Sequence, residues 1–258
     1  MQAAVRAAGT VPAITAVVAG ELRVGLSDAE HERFLRREGV RKVSSRDLGL
    51  AIAQGADGAT TVAATLTICR AAGIPVFATG GIGGVHREPA FDESADLLEL
   101  SRSPVVVVCA GAKSILDLPA TLERLESSGV TVVGYGTDEF PGFFTRRTGV
   151  RISASAESPQ EVARIARASW GTGHPGALLL VQPVPEQHAL DDRLVQAAVD
   201  EALRSAREAG VRGAALTPHL LASVERATGG QSVQANLALL EANAALAGRV
   251  AAALALPA

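Results

Sequence analysis

Lysine is rare in this chain, and its two occurrences are the first residues to consider for chemistry. The 258 residues include 24 basic ones, and all but Lys42 and Lys113 are arginine. Arginine stays protonated and has no amine that condenses with a carbonyl, whereas a deprotonated lysine can form a Schiff base. Lys113 follows the apolar stretch VVVVCAGA, where burial is expected to lower its pKa. This favours Lys113 as a nucleophile; chance survival of both lysines, or a solvent-exposed Lys113, are the alternatives.

A glycine-rich loop precedes Lys113 in the chain. Residues 80–84 read GGIGG, and His86 and Arg87 follow them. Glycines allow backbone N–H groups to approach an anion, and an imidazole beside a guanidinium suits a phosphate. The loop is not a Walker loop, because no Gly-Lys-Ser/Thr follows it, and it is not a clean dinucleotide fingerprint. A phosphate site and an ordinary tight turn are both compatible with this loop.

Polar residues crowd the segment between this loop and the next predicted helix. They are Asp92, Glu93, Ser94 and Asp96. Clustered carboxylates suit a hard divalent cation such as Mg²⁺ or Mn²⁺. Capping of the helix by Ser94 or Asp92 explains the same pattern without a ligand, and on this pattern alone it is the preferred interpretation.

Three other segments carry polar groups that could contact a ligand. Lys42 lies just past a short predicted strand, and a helix that opens near Gly58 could hold a phosphate at its first N–H groups. Asn236 lies in a predicted helix, where its amide could bind the edge of a base or sugar. A threonine N-cap and a surface asparagine are the plainer interpretations of the last two.

Composition excludes several classes of protein. The net charge is −3, which gives no basic surface for nucleic acid. Cys69 and Cys109 are too few for a disulfide framework and read as core thiols of a reducing compartment, so we expect a cytoplasmic protein. No apolar run reaches about 18 residues without a charge or helix breaker, so we expect no membrane span. The N-terminus lacks the apolar region of a signal peptide.

Apolar runs alternate with amphipathic ones along the whole chain. This predicts an α/β fold, a single α/β/α domain over residues 1–258 with a mainly parallel sheet, and a helical C-terminal third that packs on one side of it. In such folds the site lies at the carboxyl ends of the strands. The predicted strands are 12–18, 21–24, 40–44, 75–79, 104–109, 131–133 and 177–181. The predicted helices begin at residue 27 and continue as 46–53, 60–72, 95–102, 120–128, 159–168, 190–209, 218–228 and 232–254.

Several long contiguous stretches make the chain resemble a known family, the pseudouridine-5′-phosphate glycosidases or indigoidine synthase A-like proteins. The resemblance extends from about Val5 to the last helix. Its stretches are VRAAGTVPA, KVSSRDL, GATTVAAT, VFATGGIGGVHRE, FDESADL, VVVCAGAKSILDLPATLE, PVPEQ and SVQAN.

The resemblance implies a reaction. Members of this family reversibly cleave the C–C glycosidic bond of pseudouridine 5′-phosphate with water, giving uracil and ribose 5-phosphate. A lysine in the CAGAKS stretch attacks the anomeric carbon, opens the ring and holds the sugar as an imine, which assigns the nucleophile to Lys113. A divalent metal, usually Mn²⁺, is held by the first aspartate of the FDESAD stretch, here Asp92.

The resemblance also implies a set of substrate-binding residues and an assembly. The substrate-binding residues would be Lys42, Val62, His86, Ser94, Ala95, Asp96 and Asn236. The family acts on small molecules, so neither a nucleic acid nor a membrane is an expected partner. A homotrimer is the expected assembly.

One part of the family pattern has no counterpart here. Family members begin with a strand of the form ALEST, whose glutamate protonates the departing base, and the resemblance starts just downstream of it. We therefore expect either a start codon placed too late or a real loss of the proton donor. A hole at the edge of the core is also expected.

Three functions follow from these observations. The first is the glycosidase, and the second is a catalytically impaired phosphosugar-binding protein that lacks its general acid. The third is a Schiff-base aldolase that acts on another phosphosugar.

Overall fold

A computed structural model describes residues 1–88 and 91–256 of the chain. Its helices are α1 (Gln2–Ala7), α2 (Asp28–Arg36), α3 (Leu48–Ala53), α4 (Val62–Ala72), α5 (Ala95–Leu100), α6 (Leu118–Ser127), α7 (Pro159–Gly171), α8 (Asp192–Glu208), α9 (Leu216–Ala227) and α10 (Gln231–Ala255). Its strands are β1 (Thr15–Val18), β2 (Glu21–Val24), β3 (Arg41–Val43), β4 (Gly58–Thr60), β5 (Val76–Ala78), β6 (Val85–His86), β7 (Val106–Cys109), β8 (Leu116–Asp117), β9 (Thr131–Tyr135), β10 (Ser155–Ala156) and β11 (Leu178–Val181).

The main sheet has the strand order β10-β9-β11-β7-β5, and every pairing in it is parallel. β7 and β11 consist of apolar residues and are fully buried, as central parallel strands covered on both faces should be. The predicted α/β class with a mainly parallel sheet is confirmed. β5, within the predicted strand 75–79, is the edge strand of this sheet, and its residues are only half-buried.

A second sheet has the order β2-β1-β4-β3. β1 is antiparallel to both of its neighbours, and β3 is parallel to β4. The predicted helix 60–72 begins only at Val62, because residues 58–60 form β4 and Thr61 caps the helix. The predicted helix after Ser27 begins with a capping box, in which the hydroxyl of Ser27 accepts the backbone N–H of Glu30.

The side chains of β7 alternate between two cores, one on each face of the main sheet. Val107 and Cys109 belong to the larger core with α4, α5, α6, α8, α9 and the start of α10. Val106 and Val108 belong to the smaller core with α7 and the later half of α10. The prediction that the C-terminal third packs on one side is therefore wrong: α10 is long and apolar on most of its surface, so its two halves are buried on opposite faces.

α10 is also the one helix, among the described residues, that is long and apolar enough to cross a membrane. It has 25 residues, and an 18-residue window within it has a mean hydropathy of 1.4. Leu239 lies in the larger core, and Leu246 and Val250 lie in the smaller one. Packing against the main sheet thus accounts for its apolar composition.

Candidate active site

The glycine loop and the Lys113 segment run side by side beyond the ends of β5 and β7. The backbone N–H of Ala110 donates to the carbonyl of Gly80 at 2.8 Å, and the N–H of Ile82 donates to Gly111 at 3.0 Å. The N–H of Lys113 in turn donates to Ile82 at 3.2 Å. These bonds continue the parallel pairing past the sheet, so the loop and the lysine lie at its carboxyl edge, where ligands bind in folds of this kind.

Two glycines are required for this close approach. Gly111 has a φ of +82°, and a Cβ built there would lie 2.1 Å from the carbonyl oxygen of Pro141. A Cβ on Gly83 would lie 2.3 Å from the hydroxyl oxygen of Ser94. Real Cβ atoms are not found at such distances, so these positions admit only glycine without movement of the backbone.

Asp96 connects the loop to a neighbouring helix. It is only 5% exposed, and one carboxylate oxygen accepts the backbone N–H of Gly83 at 2.8 Å. The other oxygen accepts the N–H of Ala63, in the first turn of α4, also at 2.8 Å. The hydroxyl of Ser94 caps α5 by accepting the N–H of Asp96. The carboxylate is therefore held between two elements far apart in sequence.

Lys113 is half-buried, and its surroundings favour the neutral amine. Burial lowers the pKa of Lys113, and the charge of Lys42 lowers it further. Asp96 opposes both effects. A lysine amine with a lowered pKa carries a larger neutral fraction near pH 7, which is the form that attacks a carbonyl.

His86 lies in the same electrostatic environment. Burial lowers the pKa of His86, and the charges of Lys113 and Lys42 add to the effect, whereas Asp92 opposes it. The backbone N–H of His86 donates to the carbonyl of Asp92 at 2.9 Å, which places the FDES segment alongside β6. The imidazole is thus favoured in its neutral form, able to accept or donate a proton.

Three further residues predicted for the site lie on three different elements, β3, α4 and α10. Lys42 is exposed on β3, and its charge lowers the pKa of both Lys113 and His86. Val62 is the first residue of α4, next to the N–H that Asp96 binds. Asn236 is half-buried on α10, with its amide oxygen 3.3 Å from where a Cβ on Gly80 would lie.

Ala95 is the predicted site residue with the weakest placement. It is the first residue of α5 and is exposed, and only its neighbours Ser94 and Asp96 connect it to the site.

Two residues near the site were not singled out from the sequence. Asn243 is fully buried and donates its amide hydrogens to the carbonyls of Thr79 and Gly80. Ser114, next to Lys113, is buried with a hydroxyl that bonds to none of the described residues. The scarcity of asparagine, which occurs only at 236 and 243, was a usable signal for Asn243.

A large apolar cleft lies beside the site, between the two sheets. Its volume is about 1030 Å³, and β5 forms one wall of it. Val62 and Thr79 border the end nearest the glycine loop, and Phe77 and Leu240 also line it.

Comparison with known proteins gives a consistent result. The sequence profile of the family described as "Indigoidine synthase A like protein" matches residues 1–253. A pseudouridine-5′-phosphate glycosidase of Gemmatimonas aurantiaca is 61% identical over 98% of this chain and 83% of its own length. One of Herpetosiphon aurantiacus is 50% identical over 98% of this chain and 84% of its own length.

Two solved structures share the fold. The prealnumycin C-glycosynthase AlnA, crystallised with ribulose 5-phosphate, superposes with a TM-score of 0.92 at 45% identity, over 98% of this chain and 84% of its own. An indigoidine synthase A-like protein of Thermotoga maritima gives a TM-score of 0.90 at 38% identity, over 96% of this chain and 82% of its own. The chain therefore belongs to the indigoidine synthase A-like family, among relatives that are named pseudouridine-5′-phosphate glycosidases.

Proposed function

We propose that this protein is a pseudouridine-5′-phosphate glycosidase, which cleaves the C–C glycosidic bond reversibly to uracil and ribose 5-phosphate. The observation that carries the proposal is the half-buried Lys113, whose pKa is lowered at the carboxyl edge of the main sheet. The names of the relatives support the reaction class. The ribulose 5-phosphate bound to AlnA supports a pentose phosphate as ligand.

The central step is the formation of an imine on Lys113. In the reverse direction, the neutral amine adds to C1 of open-chain ribose 5-phosphate, a C–N bond forms, and the C1 oxygen leaves as water. The base carbon of uracil then bonds to C1 of the imine, the C=N electron pair moves to nitrogen, and the base carbon gives up its proton. A carboxylate nucleophile forms no C=N bond and offers no such electron acceptor. Burial of Lys113 increases the neutral fraction of the amine that this step requires.

The other residues around Lys113 bind and orient the substrate in this proposal. Lys42 supplies a positive charge at the mouth of the site for the phosphate, and His86 supplies a neutral imidazole. Asp96 holds the glycine loop in place. The substrate-contacting set is completed by Val62, Ser94, Ala95 and Asn236.

Asp92 is the proposed ligand of a divalent cation, which is Mn²⁺ by family resemblance. No group of three or more metal-binding side chains occurs within residues 1–88 and 91–256. Asp92 would offer the cation a carboxylate, a ligand type that suits a hard cation which keeps several waters. The cation would supply positive charge for the substrate, and every other step belongs to the residues above.

We further propose that the protein acts on small molecules in the cytoplasm as a homotrimer. Burial raises the pKa of Cys69 to about 11, so this thiol stays protonated and inert, as expected for a structural cysteine. Light scattering coupled to gel filtration measures the assembly directly.

Borohydride trapping tests the proposed function. Sodium borohydride reduces an imine to a stable amine, so the protein incubated with ribose 5-phosphate should carry one pentose phosphate on Lys113, located by mass spectrometry. Lys42 is the only other lysine and serves as an internal control. Lys113→Arg should abolish the adduct and lower turnover about 10³-fold or more. An unmodified Lys113 in the wild-type protein would refute the proposal.

A second candidate is a phosphosugar-binding protein that forms the imine but does not turn over. The observation in its favour is that both oxygens of Asp96, whose charge raises the pKa of Lys113, already accept backbone N–H groups. Asp96 is thus poorly placed to protonate a departing base. Release of uracil from pseudouridine 5′-phosphate by this 258-residue chain would exclude this candidate, whereas trapping without uracil release would support it.

The aldolase is separated from both by one further measurement. A glycosidase running in reverse consumes ribose 5-phosphate only when uracil is present. Consumption without uracil would favour the aldolase.

A further inference from the structure

Two amide side chains, the buried Asn243 and the half-buried Gln182, connect α10 with the carboxyl ends of three strands. Asn243 is 0% exposed, and its Nδ2 donates to the carbonyl of Thr79 at 2.8 Å and to that of Gly80 at 3.3 Å. Its Oδ1 accepts from Nε2 of Gln182 at 2.8 Å. The backbone N–H of Gln182 donates to the carbonyl of Cys109 at 3.0 Å. The pair thus joins the ends of β5, β7 and β11 beneath the glycine loop.

The orientation of both amides follows from the chemistry of their partners. Backbone carbonyls can only accept hydrogen bonds, so the NH₂ group of Asn243 must face Thr79 and Gly80. Its oxygen must then face Gln182, which makes Gln182 the donor. An apolar side chain at 243 would donate to neither carbonyl, and the hydrogen bonds to Thr79 and Gly80 would be lost.

The carbonyl of Gly80 connects the Asn243–Gln182 pair to Lys113. Gly80 also accepts the N–H of Ala110, and the ladder continues through Ile82 to the N–H of Lys113. A displacement of the loop at Gly80 would therefore be passed directly to the backbone of Lys113. Asn236, two turns earlier on the same helix, reaches Gly80 as well.

We propose that Asn243 and Gln182 are positioning residues: they hold the start of the glycine loop in register with the Lys113 segment, so that the amine is presented correctly for imine formation. This inference rests on the function proposed for Lys113. Neither residue contacts the reacting atoms in it, and their effect reaches the amine through Gly80 and Ile82.

The test combines three variants. Asn243→Asp keeps the shape but turns a carboxylate oxygen toward two carbonyl oxygens, and Gln182→Met keeps the length but removes the donor. Leu246→Ala is the control, because Leu246 is fully buried one turn further along α10 and belongs to the smaller core. All three are compared at a temperature at which circular dichroism shows them fully folded.

The first readout is the rate of borohydride trapping with ribose 5-phosphate. We expect Asn243→Asp to lower it at least tenfold and Gln182→Met about threefold to tenfold, with little change in the sugar concentration at half-saturation. Leu246→Ala should trap at nearly the wild-type rate per folded molecule. Wild-type rates in both amide variants, or an equal loss in the control, would overturn the proposal.

The second readout does not depend on catalysis. Acetic anhydride labels neutral amines, and the ratio of labelling at Lys113 to that at Lys42 measures how the Lys113 amine is presented. Asn243→Asp should change this ratio at least threefold, and Leu246→Ala should not. If the wild-type protein traps no sugar, the proposed function fails, and this ratio alone still decides whether the amide pair positions Lys113.

Discussion

Asp96 accepts the backbone N–H of Gly83 at 2.8 Å, although the two residues are thirteen positions apart in the sequence. With its other oxygen it accepts the N–H of Ala63, so one carboxylate fixes the glycine loop against the start of α4. The hydroxyl oxygen of the neighbouring Ser94 lies 2.3 Å from where a Cβ on Gly83 would be, so the loop packs closely against the start of α5. The geometry of the site depends on this one acidic side chain.

Asp96→Asn should therefore destabilise the protein markedly. An amide keeps only one acceptor oxygen, so one backbone N–H would face an NH₂ group and lose its partner. A buried unsatisfied donor costs about 1–3 kcal/mol, which urea unfolding followed by circular dichroism can measure. Asp138→Asn, at an exposed aspartate that pairs with Arg151, is the matched control and should cost less than about 1 kcal/mol. Equal losses would show that Asp96 has no special structural role.

Lys42→Met should shift the pH dependence of imine formation upward. The charge of Lys42 lowers the pKa of Lys113, so its removal raises that pKa toward the ordinary value for lysine. A smaller fraction of the amine is then neutral at a given pH, and half-maximal trapping moves to higher pH. The measurement is the trapping rate at saturating ribose 5-phosphate across pH.

Arg41→Met provides the control for this experiment. Arg41 precedes Lys42 on β3, so its side chain lies on the opposite face of the strand, where it donates to Gln54. The substitution therefore removes one positive charge from that opposite face. Its pH profile should match that of the wild type. If both variants shift the profile equally, the effect arises from net charge and not from the position of Lys42.

Gly111→Ala should disrupt the loop that carries Lys113. The new Cβ would meet the carbonyl of Pro141 at 2.1 Å, in addition to the strain of a positive φ. Gly149→Ala is a matched control, because Gly149 has a φ of +72° with nothing within 4 Å of the added Cβ. The control should cost about 1–2 kcal/mol, and Gly111→Ala at least about 2 kcal/mol more. Similar losses in thermal unfolding would show that the loop adapts.

Asp92→Asn should weaken the binding of Mn²⁺ if Asp92 is its ligand. Loss of the charged ligand should raise the dissociation constant about tenfold or more, as measured by calorimetry in the presence of ribose 5-phosphate. Glu93→Gln is the control, because Glu93 pairs with Arg124 and should leave Mn²⁺ binding unchanged. Unaltered Mn²⁺ affinity in Asp92→Asn would remove Asp92 from the cation site.

The sequence predicted most of the helices and the central strands, because their periodicity is local. β7 and β11 are continuous apolar runs, and the capping residues of α2 are readable over four positions. The strands β4, β6, β8 and β10 were missed, since two or three residues carry no periodic signal and form only through their partners. The position of β5 at the sheet edge could not be read either, because strand order is a property of the whole fold.

The candidate site divides in the same way. Lys113, Asp92, Asp96 and His86 were recognised as candidates by type and family pattern, and the fold brings their charges within range of one another. The two hydrogen bonds that Asp96 accepts from backbone N–H groups could not be predicted, because they join three segments that are distant in sequence. Asn243 was overlooked since a lone amide inside an apolar helix has no motif.

The free edge of β5 has a consequence for how the molecule responds to heat. The N–H of Thr79 points toward β7, so by alternation those of Val76 and Ala78 point away from it, into the apolar cleft. A strand held on one side only, above an open cavity, is where local unfolding should begin. The glycine loop starts two residues beyond β5, at Gly80, so fraying of this edge would release the loop first. Thermal inactivation should consequently precede the loss of helical structure.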